Sequence, residues 1–110
     1  MATLAYRQAK IGGTNLVLPA ASVGGDKVSP SQHGVVLFRN GDAASKTVTV
    51  ATPGVDKYGQ ARPDIAITVP ANTTAVIGPF PADLGDTVGD GLVALTYSAV
   101  TNCTVDAVSL

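Results

Sequence analysis

No run longer than about eight residues keeps a helical period, while turn residues return about every ten positions: Gly12-Gly13, Gly24-Gly25, Asn40-Gly41-Asp42, Pro53-Gly54, Asn72, Gly85 to Gly91 and Thr101-Asn102. A helix needs roughly three turns to bury a useful face, and a strand needs only five or six residues. Chain punctuated this often therefore folds as strands, and the segments between the turns carry the strand signature of Val, Ile and Thr at alternate positions. In "KTVTVAT", Val48 and Val50 point one way and Thr47 and Thr49 the other. In "DIAITVP", Ile65, Ile67 and Val69 oppose Ala66 and Thr68. "GVVLFRNG" is apolar on both faces as far as Arg39, which marks either a central strand or one covered by another copy of the protein.

The strand candidates are Leu4 to Gln8, Asn15 to Leu18, Lys27-Val28, Val35 to Asn40, Lys46 to Thr52, Ile65 to Pro70, Thr74 to Phe80, Leu92 to Ser98 and Cys103 to Ser109. They predict an all-β, single-domain antiparallel β-sandwich, jelly-roll-like, of seven to nine short strands over residues 1–110. Residues 1–13 read as an extended N-terminal arm. At most one short helical turn is expected, near Pro81 to Leu84. Within "VPANTTAVIGPFP", Asn72 makes the tight turn between two strands, the Gly-Pro-Phe-Pro stretch ends the second one, and Phe80 plugs the core.

Composition supports strands and narrows the functions. All eight acidic residues are Asp, and Val, Ala, Thr and Gly dominate the remainder, so helix-favouring Glu is missing altogether. A chain of 110 residues is one domain that buries roughly 60–70% of its unfolded surface. Charged residues make up 14% against a usual figure of about 25%, which leaves a surface of Thr, Ser, Ala and Gly suited to close protein contact. With seven basic residues and a net charge of −1, no basic stripe forms to neutralise phosphates, and nucleic-acid binding is not expected. Cys103 is the only cysteine, which rules out an intrachain disulfide and a thiolate zinc site. The N-terminal residues lack an apolar signal core and "LVLPAASV" is too short to span a bilayer, so the expectation is synthesis and folding in a cytoplasm without a membrane anchor.

Catalysis needs a base or nucleophile with a positioned partner. His33 lies in the loop "SPSQHGV" with Ser31 two residues away and no carboxylate beside it. Cys103 alternates with Val105 and Ala107 and reads as a small core hydrophobe. Asp83, Asp86 and Asp90 crowd together in "DLGDTVGDG", a spacing that fits no EF-hand, and an ordinary connecting loop is favoured over a cation site. Asn72-Thr73-Thr74 and Asn102-Cys103-Thr104 match the glycosylation pattern only by coincidence when no secretory signal precedes them. The loop "TPGVDKYGQARP", residues 52–63, is long for a hairpin and carries Lys57, Tyr58 and Arg62, residue types that anchor protein partners. The N-terminal arm pairs Tyr6 with Arg7 and Lys10 in the same way. These two segments are the candidate partner contacts, through Tyr6, Arg7, Lys57, Tyr58 and Arg62.

The runs "HGVVLFRNGDAASKTVTVATPG", "TVPANTTAVIGPFPADL" and "DGLVALTYSAVTNCTVDAVSL" resemble a family of small structural proteins of tailed bacteriophage heads, the capsid decoration or cement proteins. The resemblance runs over residues 25–110 and is weaker over the first 24. It implies a β-sandwich that binds the outside of an assembled capsid and reinforces joints between major capsid protein subunits, on the head surface of the virion, with neither enzymatic activity nor a cofactor. Partners would be the major capsid protein and neighbouring copies of the chain, as trimers at local three-fold positions. Small β domains also serve as head–tail connectors and tail proteins, and a carbohydrate-binding or adhesin-like sandwich is the reading from another class. Sugar sites usually present aromatic platforms, and this chain offers no Trp and three Tyr.

Overall fold

A computed structural model describes residues 2–16, 18–52, 54, 57–81 and 91–110. Nine strands are present: β1 (Ala2–Leu4), β2 (Tyr6–Gln8), β3 (Asp26–Val28), β4 (Gly34–Asn40), β5 (Lys46–Val50), β6 (Ile65–Val69), β7 (Thr73–Ile77), β8 (Val93–Tyr97) and β9 (Cys103–Ser109). They form a five-stranded sheet in the order β1-β3-β8-β5-β6 and a four-stranded sheet in the order β2-β9-β4-β7. The fold is therefore an all-β sandwich. The chain passes from one sheet to the other at every connection except β5 to β6, which is how a jelly roll winds.

The strands of the sandwich body pair antiparallel, as the short turns demand, but the two arm strands do not. β1 runs parallel to β3 and β2 parallel to β9, so the sheets are mixed and the all-antiparallel expectation is corrected at this edge. A tight hairpin would have imposed the antiparallel direction, whereas residues 9–25 are long enough to return the chain along the sandwich before β3 begins. The arm itself is two short strands separated by Ala5 rather than one, because it leaves the edge of one sheet and joins the edge of the other.

The segment Asn15 to Leu18 is not a strand among its described residues. Leu18 has a left-handed backbone (φ 52°), which ends extension there, and the next residues take over the pairing. Ala20 bridges Thr104, the Ala21 N–H donates to the Cys103 carbonyl and the Val105 N–H to the Pro19 carbonyl. The helical turn expected near Pro81 to Leu84 falls on residues 82–84, outside the described residues. Asn72 makes the β6–β7 turn in the left-handed region (φ 57°), as the sequence predicts.

Alternation translates into burial. On β4, Val36 and Phe38 point inward and are fully buried, while Val35 and Leu37 on the other face are half-buried. β4 lies between β9 and β7, so the double-sided apolar run belongs to a central strand. Val48 and Val50 of β5, Val93 and Leu95 of β8 and Val105 and Ala107 of β9 complete the core. The Phe38 ring stacks on Tyr97 across the two sheets, with centroids 5.0 Å apart and planes 30° apart. Phe80 is 2% exposed and closes one end, held by paired backbone bonds between Phe80 and Ser31.

Strand directions sort the loops onto two ends. Residues 9–14, 29–33, 51–52, 54, 57–64 and 78–81, with Leu110, lie at the end closed by Phe80. Residues 22–25, 41–45, 70–72 and 98–102 lie at the opposite end.

Candidate contact surface

Among the described residues the buried polar groups are bonded within the fold, except the Thr52 hydroxyl, which is buried without a hydrogen-bond partner. Asp26, 1% exposed, accepts a 2.7 Å hydrogen bond from the Tyr97 hydroxyl and one from the Ser22 N–H. Asn40 is fully buried at the end of β4. Its amide donates to the carbonyls of Ala44, Val69 and Pro70, and its oxygen accepts the Asp42 N–H. Lys46 reaches Asp42 at 2.7 Å. Asp106, although on the outer face of β9, is covered by the N-terminal segments and accepts the Ala107 N–H, with the Leu18 N–H at 3.5 Å. Cys103 is buried, its thiol directed at the Thr101 carbonyl. The Ser31 hydroxyl accepts the His33 backbone N–H. These are the bonds of a scaffold.

Burial favours the protonated form of three acids, Tyr97, Cys103 and Tyr6. Desolvation and the Asp26 carboxylate beside it push the Tyr97 hydroxyl far above its ordinary pKa, and burial pushes the Cys103 thiol up. Ordinary values are about 10 and 8.5. A raised folded-state pKa contributes stability that is complete below the ordinary value and is lost as pH rises beyond it. The melting temperature is therefore expected to fall as pH passes from about 8 to above 10, and Tyr97→Phe should flatten that slope while lowering stability at neutral pH. A Tyr97→Phe protein with the parent's alkaline slope would show that this hydroxyl is not responsible. At the acid side, the Lys46 hydrogen bond and the Ala43 N–H hold the Asp42 carboxyl below the usual range. Its contribution is present above the ordinary carboxylate pKa and lost as pH falls.

The predicted contact residues separate into two groups. Tyr6 is committed to its own domain. Its hydroxyl donates to the Ser29 carbonyl, and its ring lies so closely over Gly34 that a Cβ there would sit 2.4 Å from the Tyr6 Cε1. A side chain at position 34 would have to displace the Tyr6 ring, and the arm is fastened across the sandwich edge. The Arg7 side chain is half-exposed, with Nε 3.8 Å from Asp106, an arrangement worth at most about 1 kcal/mol at a surface.

Lys57 and Tyr58 stand out from the end closed by Phe80. Tyr58 is 76% exposed and the Lys57 ammonium lies 5.1 Å from its ring centroid, a cation–π pair presented to solvent. Arg62, in the same loop, is half-buried. Sequence reasoning missed Ile11 and Leu110, which are also largely exposed at this end. Ile11 sits on a turn closed by the Gly13 N–H to the Lys10 carbonyl, and the signal was available in "AKIGGT", where an aliphatic residue stands in a turn that no strand can use. Ile11, Tyr58 and Leu110, with the cations Lys10 and Lys57, thus share one end of the sandwich. Val23, 83% exposed, is at the opposite end. Asp83, Asp86 and Asp90 lie outside the described residues. Compared with models of protein families, with curated proteins and with solved structures, the chain matches none.

Proposed function

We propose that this protein is a non-enzymatic structural protein that binds the outside of a tailed-phage capsid and reinforces joints between major capsid protein subunits. The observation that carries the reading is the gathering of Ile11, Lys57, Tyr58 and Leu110, all strongly exposed, at one end of a sandwich whose buried polar groups, the Thr52 hydroxyl excepted, are tied into its own scaffold. Exposed apolar and aromatic side chains rimmed by cations are the make-up of a protein-contact surface. The resemblance noted for residues 25–110 supplies the partner. A plate 44 × 34 × 19 Å with such an end seats across a joint without needing a pocket, and neighbouring copies associate on the particle as trimers at local three-fold positions.

Tyr58 and Lys57 lie on a loop outside the core, so Lys57→Ala with Tyr58→Ala is expected to leave the melting temperature unchanged. Binding to purified shells should weaken at least tenfold, about 1.4 kcal/mol, since a buried tyrosine anchor is worth about 2 kcal/mol or more. Electron microscopy of decorated shells and a binding isotherm read both the site and the affinity. If the double variant decorates shells as tightly as the parent, this end is not the contact.

A further inference from the structure

An asparagine followed by glycine is the pair most prone to lose ammonia in a flexible chain. The glycine nitrogen attacks Cγ of the asparagine side chain, and with no Cβ in the way and a permissive backbone it reaches that carbon easily. A base takes the proton from the nitrogen, the new N–Cγ bond forms, the Cγ–Nδ2 bond breaks, and ammonia leaves with a proton from water. Water then opens the five-membered imide at either carbonyl to give aspartate or isoaspartate, and nothing is oxidised or reduced. Three of the four asparagines, Asn15, Asn72 and Asn102, precede Leu16, Thr73 and Cys103, whose side chains crowd the attacking nitrogen. Asn40 precedes Gly41.

The fold uses both halves of this pair and disarms it. Asn40 is fully buried, with its amide donating to the carbonyls of Ala44, Val69 and Pro70 and its oxygen accepting the Asp42 N–H. Turning Cγ toward the Gly41 nitrogen disrupts these bonds. The Gly41 N–H donates to the Asn102 carbonyl at 2.9 Å, so the nucleophile is held on the turn before β9, and an acceptor facing it opposes loss of its proton. A Cβ at position 41 would lie 2.9 Å from that same oxygen, so a larger residue there would push the turn away. The Asp42 N–H polarises the side-chain carbonyl toward attack, but to no effect while the nucleophile is engaged elsewhere. Gly41 is exposed, so water and base reach the turn, and hydrogen bonding rather than dryness withholds the reaction.

We infer that Asn40-Gly41 is a deamidation site held off by the folded state and released when the end of β4 opens, so that it records unfolding irreversibly. The native rate is the open-chain rate multiplied by the fraction of molecules open at this end of β4. The product does not return to the parent state. Aspartate sets a charge against carbonyl oxygens, and isoaspartate lengthens the main chain by one carbon and carries the Gly41 N–H off the Asn102 carbonyl. A chain that has reacted refolds less stably and opens more often, which turns a reversible opening into a one-way loss. No capsid enters this behaviour, which stands apart from the docking reading.

The test holds the full chain in one mildly alkaline buffer, native and unfolded in urea, beside a synthetic peptide of residues 37–44, and follows the fragment containing each asparagine by mass spectrometry. Reaction at residue 40 is expected to be at least tenfold slower in the native chain than in the peptide, which corresponds to an opening free energy of about 1.4 kcal/mol or more. In urea it should outrun reaction at Asn15, Asn72 and Asn102. Gly41→Ala should slow it in urea, where the variant's folding does not matter. Chains modified at residue 40, separated by ion exchange and returned to native buffer, should melt below unmodified ones. A native rate equal to that of the peptide overturns the inference, as does faster reaction at another asparagine in urea, a rate in urea indifferent to Gly41→Ala, or modified chains that melt with the parent.

Discussion

Replacing Phe38 with alanine is expected to lower the unfolding free energy by about 3–5 kcal/mol, the range for a fully buried phenylalanine. A domain of this size holds only about 5–15 kcal/mol in all, so the variant should melt at least about 10 °C lower. The loss is large because three interactions meet at this ring. Phe38 is fully buried at the centre of the four-stranded sheet, it stacks on Tyr97 of the facing sheet, and Tyr97 in turn donates to the buried Asp26. A cavity at Phe38 frees the tyrosine ring, and with it the hydroxyl that satisfies a buried carboxylate. Val76→Ala on the neighbouring strand, at a side chain 66% exposed, should change stability by no more than about 0.5 kcal/mol. Urea unfolding of both variants measures the difference. A cost below about 1 kcal/mol at Phe38 would mean that the two sheets do not pack through this ring.

Period-two alternation made the sandwich body legible because each strand there has one face in the core. Cys103 to Ser109 is the same span in sequence and structure, and Val36, Phe38, Val48 and Val50 face inward as their spacing requires. The arm was less legible. Its strands are three residues long, too short for any period, and their parallel direction depends on where residues 9–25 carry the chain. The partnership of Asp26 with Tyr97 spans 71 positions, and neither residue's neighbours announce it. Of the contact residues chosen by type, Tyr58 and Lys57 are presented to solvent, while Tyr6 is pinned over Gly34, because an aromatic in a short arm reads alike whether it anchors a partner or its own edge.

Asn40 looks in sequence like an ordinary turn residue, since "RNGD" is a strong turn signal. Its side chain instead points inward as the last residue of β4 and ties two segments to that strand: the following loop, through the Ala44 carbonyl and the Asp42 N–H, and the end of β6, through the Val69 and Pro70 carbonyls. Asn40→Ala leaves those carbonyls without this donor, the Val69 carbonyl in a buried site and those of Ala44 and Pro70 in part-buried ones. At about 1–3 kcal/mol for an unsatisfied buried group, with water able to reach the other two carbonyls, the variant should lose about 1–3 kcal/mol. Asn40→Asp should be worse at neutral pH, although the side chains have nearly the same shape. The carboxylate would meet carbonyl oxygens where an NH₂ group had donated, and a buried charge facing acceptors favours the protonated acid. The pKa of the new group would thus be raised on folding, so its form compatible with folding is present below the ordinary carboxylate value near 4 and is lost as pH rises. Acid should therefore narrow the gap between Asn40→Asp and the parent, and neutral pH should widen it. Melting temperatures of both proteins at about pH 4 and pH 7 read the sign directly. A gap that stays constant, or that narrows at neutral pH, would show that the residue 40 side chain reaches water and that the three carbonyls are satisfied by other means.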